Sequence, residues 1–429
     1  MNSKIYDILC CPETGEQLSL KNNELSCNEN TYPILNDIPW LFKKPEQAFL
    51  EWASKIQTYF KLEESQLNDI YNSNKSEVNA LTAQRVELIL KARKTNLEDM
   101  YSRLKIFTEV QAIDTVPDTQ QIHSYFDLVF RDWIPENKEL LSYIEYIQGL
   151  LTTKVQNVLI LGSGAGGLSY NLAKSNSHIN FVSFEHNPYL SFLSHDLISG
   201  RDARLYQYTN HPTSITQTAR EHLLKNDEES KIVNHQNILG TFPDLPFRKK
   251  SFDLVIAPWF LDIIDFNLSD SLNIISQFLS SNGTLAFYGP ANFHKKDLFD
   301  QYCKEEIIDI FESNFEITHT TNGSVSYLYS DQKSQQRIEE LLFTSCSKFK
   351  NIPNKALNVE PKKIIYTAKL DAYKQKINTF SKIFKHINSD MTLEDLAKKL
   401  ELEFDFNKKE SLHYAGIFYK MILEGSSDS

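Results

Sequence analysis

Between residues 151 and 348 the apolar positions fall into short solid runs. Val158-Leu-Ile-Leu161, Phe181-Val-Ser-Phe184 and Phe252-Asp-Leu-Val-Ile-Ala257 are each bounded by glycine, proline or polar residues, as strands buried on both faces are. Strand and helix alternate through this region, which predicts an α/β fold with a parallel sheet covered by helices on both faces. Ligands of such sheets collect at the carboxyl ends of the strands. The ends expected from the pattern are Gly162, Glu185, Asn237, the 257–262 run and Tyr288-Gly-Pro290.

The flanking regions are patterned differently. Residues 1–45 read as short β elements with turns. Residues 46–150 carry Leu, Glu, Lys and Gln at helical spacing, with Leu81, Val86, Leu90, Leu97 and Leu104 along one stretch and Pro117 and Pro135 as breaks. Tyr125, Phe126, Phe130 and Trp133 form an aromatic stripe that suits a core, although a helical cap using Tyr125 and Arg131 would look the same. After a connector at 349–370, three helices are expected at 374–387, 391–400 and 407–423, with Thr392 and Asp395 as an N-cap signal. Four regions result: 1–45, 46–150, 151–348 and 349–429.

The glycine cluster at 162–167 turns the first buried strand into a helix. Gly162, Gly164 and Gly166 lack a Cβ, so the backbone can bend tightly and approach a nucleoside at a helix N-terminus. A second strand ends at Glu185, a little over twenty residues on, where an acid holds ribose hydroxyls in nucleotide-binding folds. The bend, the acid and a third strand together favour a nucleoside cofactor over a turn made for packing.

Composition removes several classes. The chain has 429 residues, enough for two to four units, and no apolar run near the length of a membrane span. The N-terminus lacks the apolar segment of a signal peptide. Five cysteines argue for a reducing cytoplasm over a disulfide framework. A net charge of −11 disfavours nucleic acid. The C-terminal helices, winged-helix-like in layout, have nearly balanced charge, so dimerisation (a homodimer) or a lid is expected of them and not a DNA role.

The Gly162, Gly164, Gly166 spacing is closer to G-x-G-x-G than to the dinucleotide pattern and resembles S-adenosylmethionine-dependent methyltransferases. Pro246-Phe-Arg-Lys-Lys-Ser-Phe-Asp-Leu-Val255 is similar to the fourth-strand entry of that class. The resemblance implies a Rossmann-like class I methyltransferase sheet that binds S-adenosyl-L-methionine through Gly162, Ser163, Gly164, Gly166, Glu185 and Pro258. Asn237 stands in for the Asp usually placed on the adenine amine. Residues 8–42 resemble the small zinc-ribbon-like partner domain of tRNA, rRNA and protein methyltransferases, which begins L-x-x-x-C-P-x-C and closes Y-P-I-x-x-G-I-P. Here Thr14 replaces the second thiol, leaving Cys10, Cys11 and Cys27 with no His nearby, too few ligands for tetrahedral zinc. A metal-free packing module is expected.

A longer match concerns the acceptor. Phe252-Asp-x-Val followed by Phe260-Leu-Asp262, then Asn273-Ile-Ile, then Leu279 to Pro290 and Phe293-His294, resembles the carnosine N-methyltransferase family. Tyr327, Ser334 and Leu342-Phe343 echo its closing signature. This resemblance implies methylation of an imidazole nitrogen, with Asp262, His294 and Tyr327 receiving the ring. Read from the residues alone, Asp262 could equally cap the following helix, and His294 could be a satisfied residue at a strand end. Pro258-Trp-Phe260, Ile263-Ile264 and Ala291-Asn-Phe-His294 depart from the family pattern around the substrate pocket. The expected substrate is a histidine-derived small molecule or peptide. A methyltransferase acting on tRNA or protein, or an inactive scaffold, are the alternatives.

Overall fold

A computed structural model of the chain describes residues 3–72, 78–111, 125–135, 137–226, 232–295, 297–333, 336–347, 349 and 398. The chain divides into two compact units, Met1–Asn351 and Ile352–Ser429. Apart from residues 349 and 398, the winged-helix-like module expected at 349–429 lies outside the described residues, as does Ser334 of the closing signature.

The first unit opens with α1 (Ser3–Tyr6) and a small antiparallel sheet of β1 (Ser19–Lys21), β2 (Glu24–Ser26), β3 (Thr31–Leu35) and β4 (Ile38–Pro39). Five helices follow: α2 (Pro45–Asn72), α3 (Ala80–Arg103), α4 (Lys105–Thr108), α5 (Tyr125–Trp133) and α6 (Lys138–Gln148). The face that α3 buries is Ala92, Asn96, Leu97 and Met100, and the Leu81 end is exposed.

The α/β region then runs β5 (Asn157–Leu161), α7 (Gly167–Ser175), β6 (Asn180–Glu185), α8 (Pro188–Ile198), β7 (Ala203–Tyr208), β8 (Ala219–Leu224), β9 (His235–Leu239), β10 (Phe252–Pro258), α9 (Leu268–Ser276), β11 (Leu279–Pro290), α10 (Lys304–Asn314), β12 (Glu316–Tyr327) and β13 (Arg337–Ser347). Seven strands form one sheet in the order β12-β13-β11-β10-β5-β6-β9. Pairing is parallel from β11 to β9, and β13 inserts antiparallel between β11 and β12. This is a Rossmann-like sheet with one antiparallel strand near its edge. From β5 the chain fills one side and then the other, so β5 borders the topological switch point, where a crevice opens at the carboxyl ends. The solid apolar runs occupy the middle of the sheet, with Val158 to Leu161 and Leu254 to Ala257 buried.

The N-terminal sheet joins this larger one. Trp40 bridges Leu239 in parallel and Leu41 N–H donates to the Leu239 carbonyl at 2.7 Å, extending the β9 edge. Cys10 N–H donates to Pro246 O and Arg248 N–H to Ile8 O, at 2.8 and 2.7 Å. Within the small sheet, Cys11 Sγ lies 3.0 Å from Tyr32 Oη and accepts from Thr14 N–H at 3.4 Å. Among the described residues no three His, Cys, Asp or Glu side chains are grouped to hold a metal ion, and no helix is long and apolar enough to cross a membrane.

Candidate active site

The bend after β5 places Gly162, Gly164 and Gly166 at φ +62°, +59° and +85°, a region costly for residues with a Cβ. Gly162 and Ser163 both donate backbone N–H to Phe184 O, at 2.9 and 3.3 Å, stitching the bend to β6. Glu185, buried at the end of β6, gathers the loop. Its Oε2 accepts from Gly164 N–H at 2.8 Å, and Oε1 from His186 and Asn187 N–H at 2.8 and 3.0 Å. Burial pushes its pKa up, against the pull of these three donors.

Three consecutive residues of α5 grip the same bend from the other side. Asp132 Oδ2 accepts from Gly167 N–H at 3.2 Å, and Trp133 Nε1 donates to Ala165 O at 2.7 Å. Arg131 lies next to Gly164, whose Cβ, were there one, would sit 3.8 Å from Arg131 Nη2. Its Nε and Nη2 both donate to Asp132 Oδ1 at 2.8 Å, and Nη1 lies 3.7 Å from Glu139 Oε1. Burial alone would depress the guanidinium pKa; Asp132 and Glu139 outweigh it and hold Arg131 charged. Glu139 also accepts from Tyr143 Oη at 3.1 Å and from Leu328 N–H at 2.7 Å. The sequence offered Arg131 only as a candidate cap residue beside Tyr125, not as a permanently charged fork set against the glycine bend. The available signal was the uninterrupted Arg131-Asp132-Trp133 run on a helix ahead of β5.

The second half of the site follows β10. Pro258 is buried at the strand's end, in register with Tyr288. Trp259 adopts φ +45°, a strained value for a bulky residue. Its N–H donates to Tyr288 O at 2.8 Å and its indole N–H to Tyr143 Oη at 2.9 Å. Tyr143 stacks on Tyr288 with ring centroids 4.3 Å apart, and Tyr327 lies 4.5 Å from Trp259, with the Arg337 guanidinium 5.1 Å from its ring centre.

Asp262 does not cap the next helix: Asn267 is the N-cap of α9, accepting from Asp270 N–H at 2.8 Å. Instead Asp262 Oδ1 is buried with no hydrogen-bond partner, close against Gly289 at the end of β11. Burial pushes its pKa up to about 6, with Lys295 and His294 pulling it down and Glu339 adding to the rise. Lys295 Nζ donates to Ile264 O at 3.0 Å and to Phe266 O, pinning the turn that carries Asp262. His294 is exposed, 3.0 Å from the Asn292 amide. Tyr327 feels the charges of Arg131, Glu139 and Asp262 together, and burial raises its pKa.

The sequence-predicted residues therefore divide. Gly162, Ser163, Gly164, Gly166 and Glu185 converge at the bend, and Pro258, Asp262, His294 and Tyr327 surround the ends of β10, β11 and β12. Asn237 is not at a strand end. It lies buried two residues before Leu239, opposite Ser183, and its amide donates to Ser191 O at 3.4 Å. The carboxyl end of β9 leads into Gly240 and Thr241, whose hydroxyl lies 3.1 Å from His186 Nδ1.

This donor set fits an adenosyl sulfonium bearing an amino acid: a tight glycine bend, a carboxylate at the neighbouring strand end, and a buried guanidinium beyond. The family model for carnosine N-methyltransferase matches residues 108–348, more than half of the chain. A comparison with curated proteins finds no match. Among solved structures, the chain is similar to a SAM-dependent methyltransferase from Aquifex aeolicus, at 9% identity over 52% of this chain and 97% of that one, with a TM-score of 0.33. It is also similar to the N-methyltransferase NodS from Bradyrhizobium japonicum in complex with S-adenosyl-L-homocysteine, at 11% identity over 53% and 97% of the two chains, with a TM-score of 0.35. The chain belongs to the carnosine N-methyltransferase family and is an S-adenosylmethionine-dependent methyltransferase.

Proposed function

We propose that the enzyme methylates an imidazole nitrogen of a histidine-derived small molecule or peptide. The observation that carries this reading is the unpartnered, buried Oδ1 of Asp262 at the mouth of the crevice. A buried acceptor without a donor is costly, and an imidazole N–H supplies the missing partner. Accepting that proton fixes the tautomer, so the other ring nitrogen presents its lone pair, and the carboxylate offsets the positive charge that develops on the ring. Trp259 and Tyr327 form an aromatic wall for a flat ring, and His294, at the rim, orients the acceptor's backbone or carboxylate.

S-Adenosylmethionine, when bound, supplies an electrophilic methyl group on a sulfonium. The chain's own part is alignment, which by itself can account for much of the acceleration of a displacement. Glu185 would hold the ribose hydroxyls, Arg131 the methionine carboxylate, and Thr241, in place of Asn237, the adenine edge. Ile263, next to Asp262 in the chain, and Leu298 and Phe299, shortly after His294, are exposed apolar side chains, which favours a peptide over the free amino acid.

The test is Asp262→Asn. S-Adenosylhomocysteine binding by calorimetry is expected to stay at the wild-type value while turnover of imidazole acceptors falls by about 100–1,000-fold. Wild-type turnover in this variant removes Asp262 from the mechanism.

A further inference from the structure

The residue after Glu185 is unlike its neighbours. Glu185 and Asn187 are buried, yet His186 between them, the first residue beyond the carboxyl end of β6, is exposed. It is nevertheless held on several sides. Its Nδ1 lies 3.1 Å from Thr241 Oγ1, and its N–H donates to Glu185 Oε1 at 2.8 Å. Two buried rings from the N-terminal part of the chain pack against it. Trp52 of α2 lies 5.2 Å away at 54° between planes, and Phe42, just beyond β4, lies 5.6 Å away at 62°.

The anchoring of those rings is specific. Phe42 follows Leu41, which pairs with Leu239, and Trp40 packs against Phe42 with centroids 4.4 Å apart. Gly240 admits this segment: a Cβ there would come within 3.0 Å of Leu41 O and 2.6 Å of the Phe184 ring. Backbone pairing therefore fixes where Phe42 stands, and packing of α2 fixes Trp52. Loss of water on the side where the two rings pack, with Lys55 adding to it, lowers the His186 pKa and favours the neutral ring, while its other side stays exposed. A neutral aromatic ring with one open face beside the ribose-binding acid suits a purine and has no charge to repel a sulfonium.

We propose that Phe42 and Trp52 are positioning residues that hold His186 as the platform for the cofactor's adenine, which makes the N-terminal sheet and α2 part of the cofactor site. In this arrangement the 3–72 region does not act as a separable accessory. His186 touches the base, Thr241 faces its edge, and the two N-terminal rings act through His186.

The experiment is calorimetric titration of the full-length chain with S-adenosylhomocysteine, alongside steady-state kinetics. Trp52→Ala is expected to weaken binding about three- to tenfold, the range measured for one aromatic pair. The KM for S-adenosylmethionine should rise by a similar factor with the acceptor KM unchanged, and Trp52→Phe should restore most of the loss. A folded Trp52→Ala protein with wild-type affinity overturns the proposal. If Trp52→Ala does not fold, His186→Ala decides, because an exposed ring can be truncated without opening the core: undiminished affinity overturns the proposal, and a three- to tenfold loss supports it. The imidazole reading of the acceptor plays no part in this measurement, so either can fail alone.

Discussion

Asp262→Asn should make the ligand-free enzyme more stable, and only above a certain pH. The carboxyl is shifted from its ordinary 3.8 up to about 6, mainly by burial. Between these values the native state holds a proton that the unfolded state has lost, so stability falls as pH rises through that window. Above about 6 the full cost of the buried carboxylate persists. Two pH units at about 1.4 kcal/mol each set a ceiling near 3 kcal/mol, and the side chain is only partly buried, so about 1–3 kcal/mol is expected. Asparagine fills the same space without charge. The thermal midpoint of the variant should exceed that of wild type by about 2 °C or more at pH 8, and the difference should shrink towards zero at pH 5 and below. An acid kept against the stability of the fold is what a functional site demands. A variant less stable than wild type at pH 8, or a gain independent of pH, would refute the reasoning.

Other consequences are equally direct. Both Asp262 and a free imidazole acceptor, with a reference pKa near 6.5, must be deprotonated, so log kcat/KM should rise with a slope of two below about pH 6. The slope should fall to one in Asp262→Asn, and a wild-type slope of one would place the acid elsewhere. Arg131→Lys keeps the charge but loses the two donors directed at Asp132 Oδ1; calorimetry should show S-adenosylhomocysteine affinity down about tenfold or more with the acceptor KM unchanged. Gly240→Ala should lower the thermal midpoint, costing about 1–3 kcal/mol through overpacking against Phe184, and should weaken cofactor binding by loosening the Leu41 segment.

What the sequence made legible was short-range. The glycine bend, Glu185 and the Asp262 run announce themselves because a buried strand and the residues at its end are contiguous in the chain. Asn237 was misplaced by two residues, since β9 continues through Ile238 and Leu239 and its apolar run gives no sign of where pairing with β6 stops. The α5 grip on the bend was hidden for another reason. Phe126, Phe130 and Trp133 do serve as core, and periodicity could not separate them from Arg131 and Asp132 among the same turns. Trp52 and Phe42 meet His186 across more than 130 positions of chain, a contact created by edge pairing that no local pattern encodes. Leu81 illustrates the reverse error: it continues an apolar stripe that the fold leaves exposed at the start of α3.

The most direct measurement is where the methyl group goes. Wild-type enzyme is incubated with S-adenosylmethionine carrying a carbon-13 methyl and with histidine-containing dipeptides, and the products are resolved by carbon–proton correlation NMR. One new signal at the chemical shift of an imidazole N-methyl, lost in Asp262→Asn, is the predicted result. A label on an amine or a carboxylate, or no label on any imidazole compound from enzyme that binds S-adenosylhomocysteine, would contradict the account.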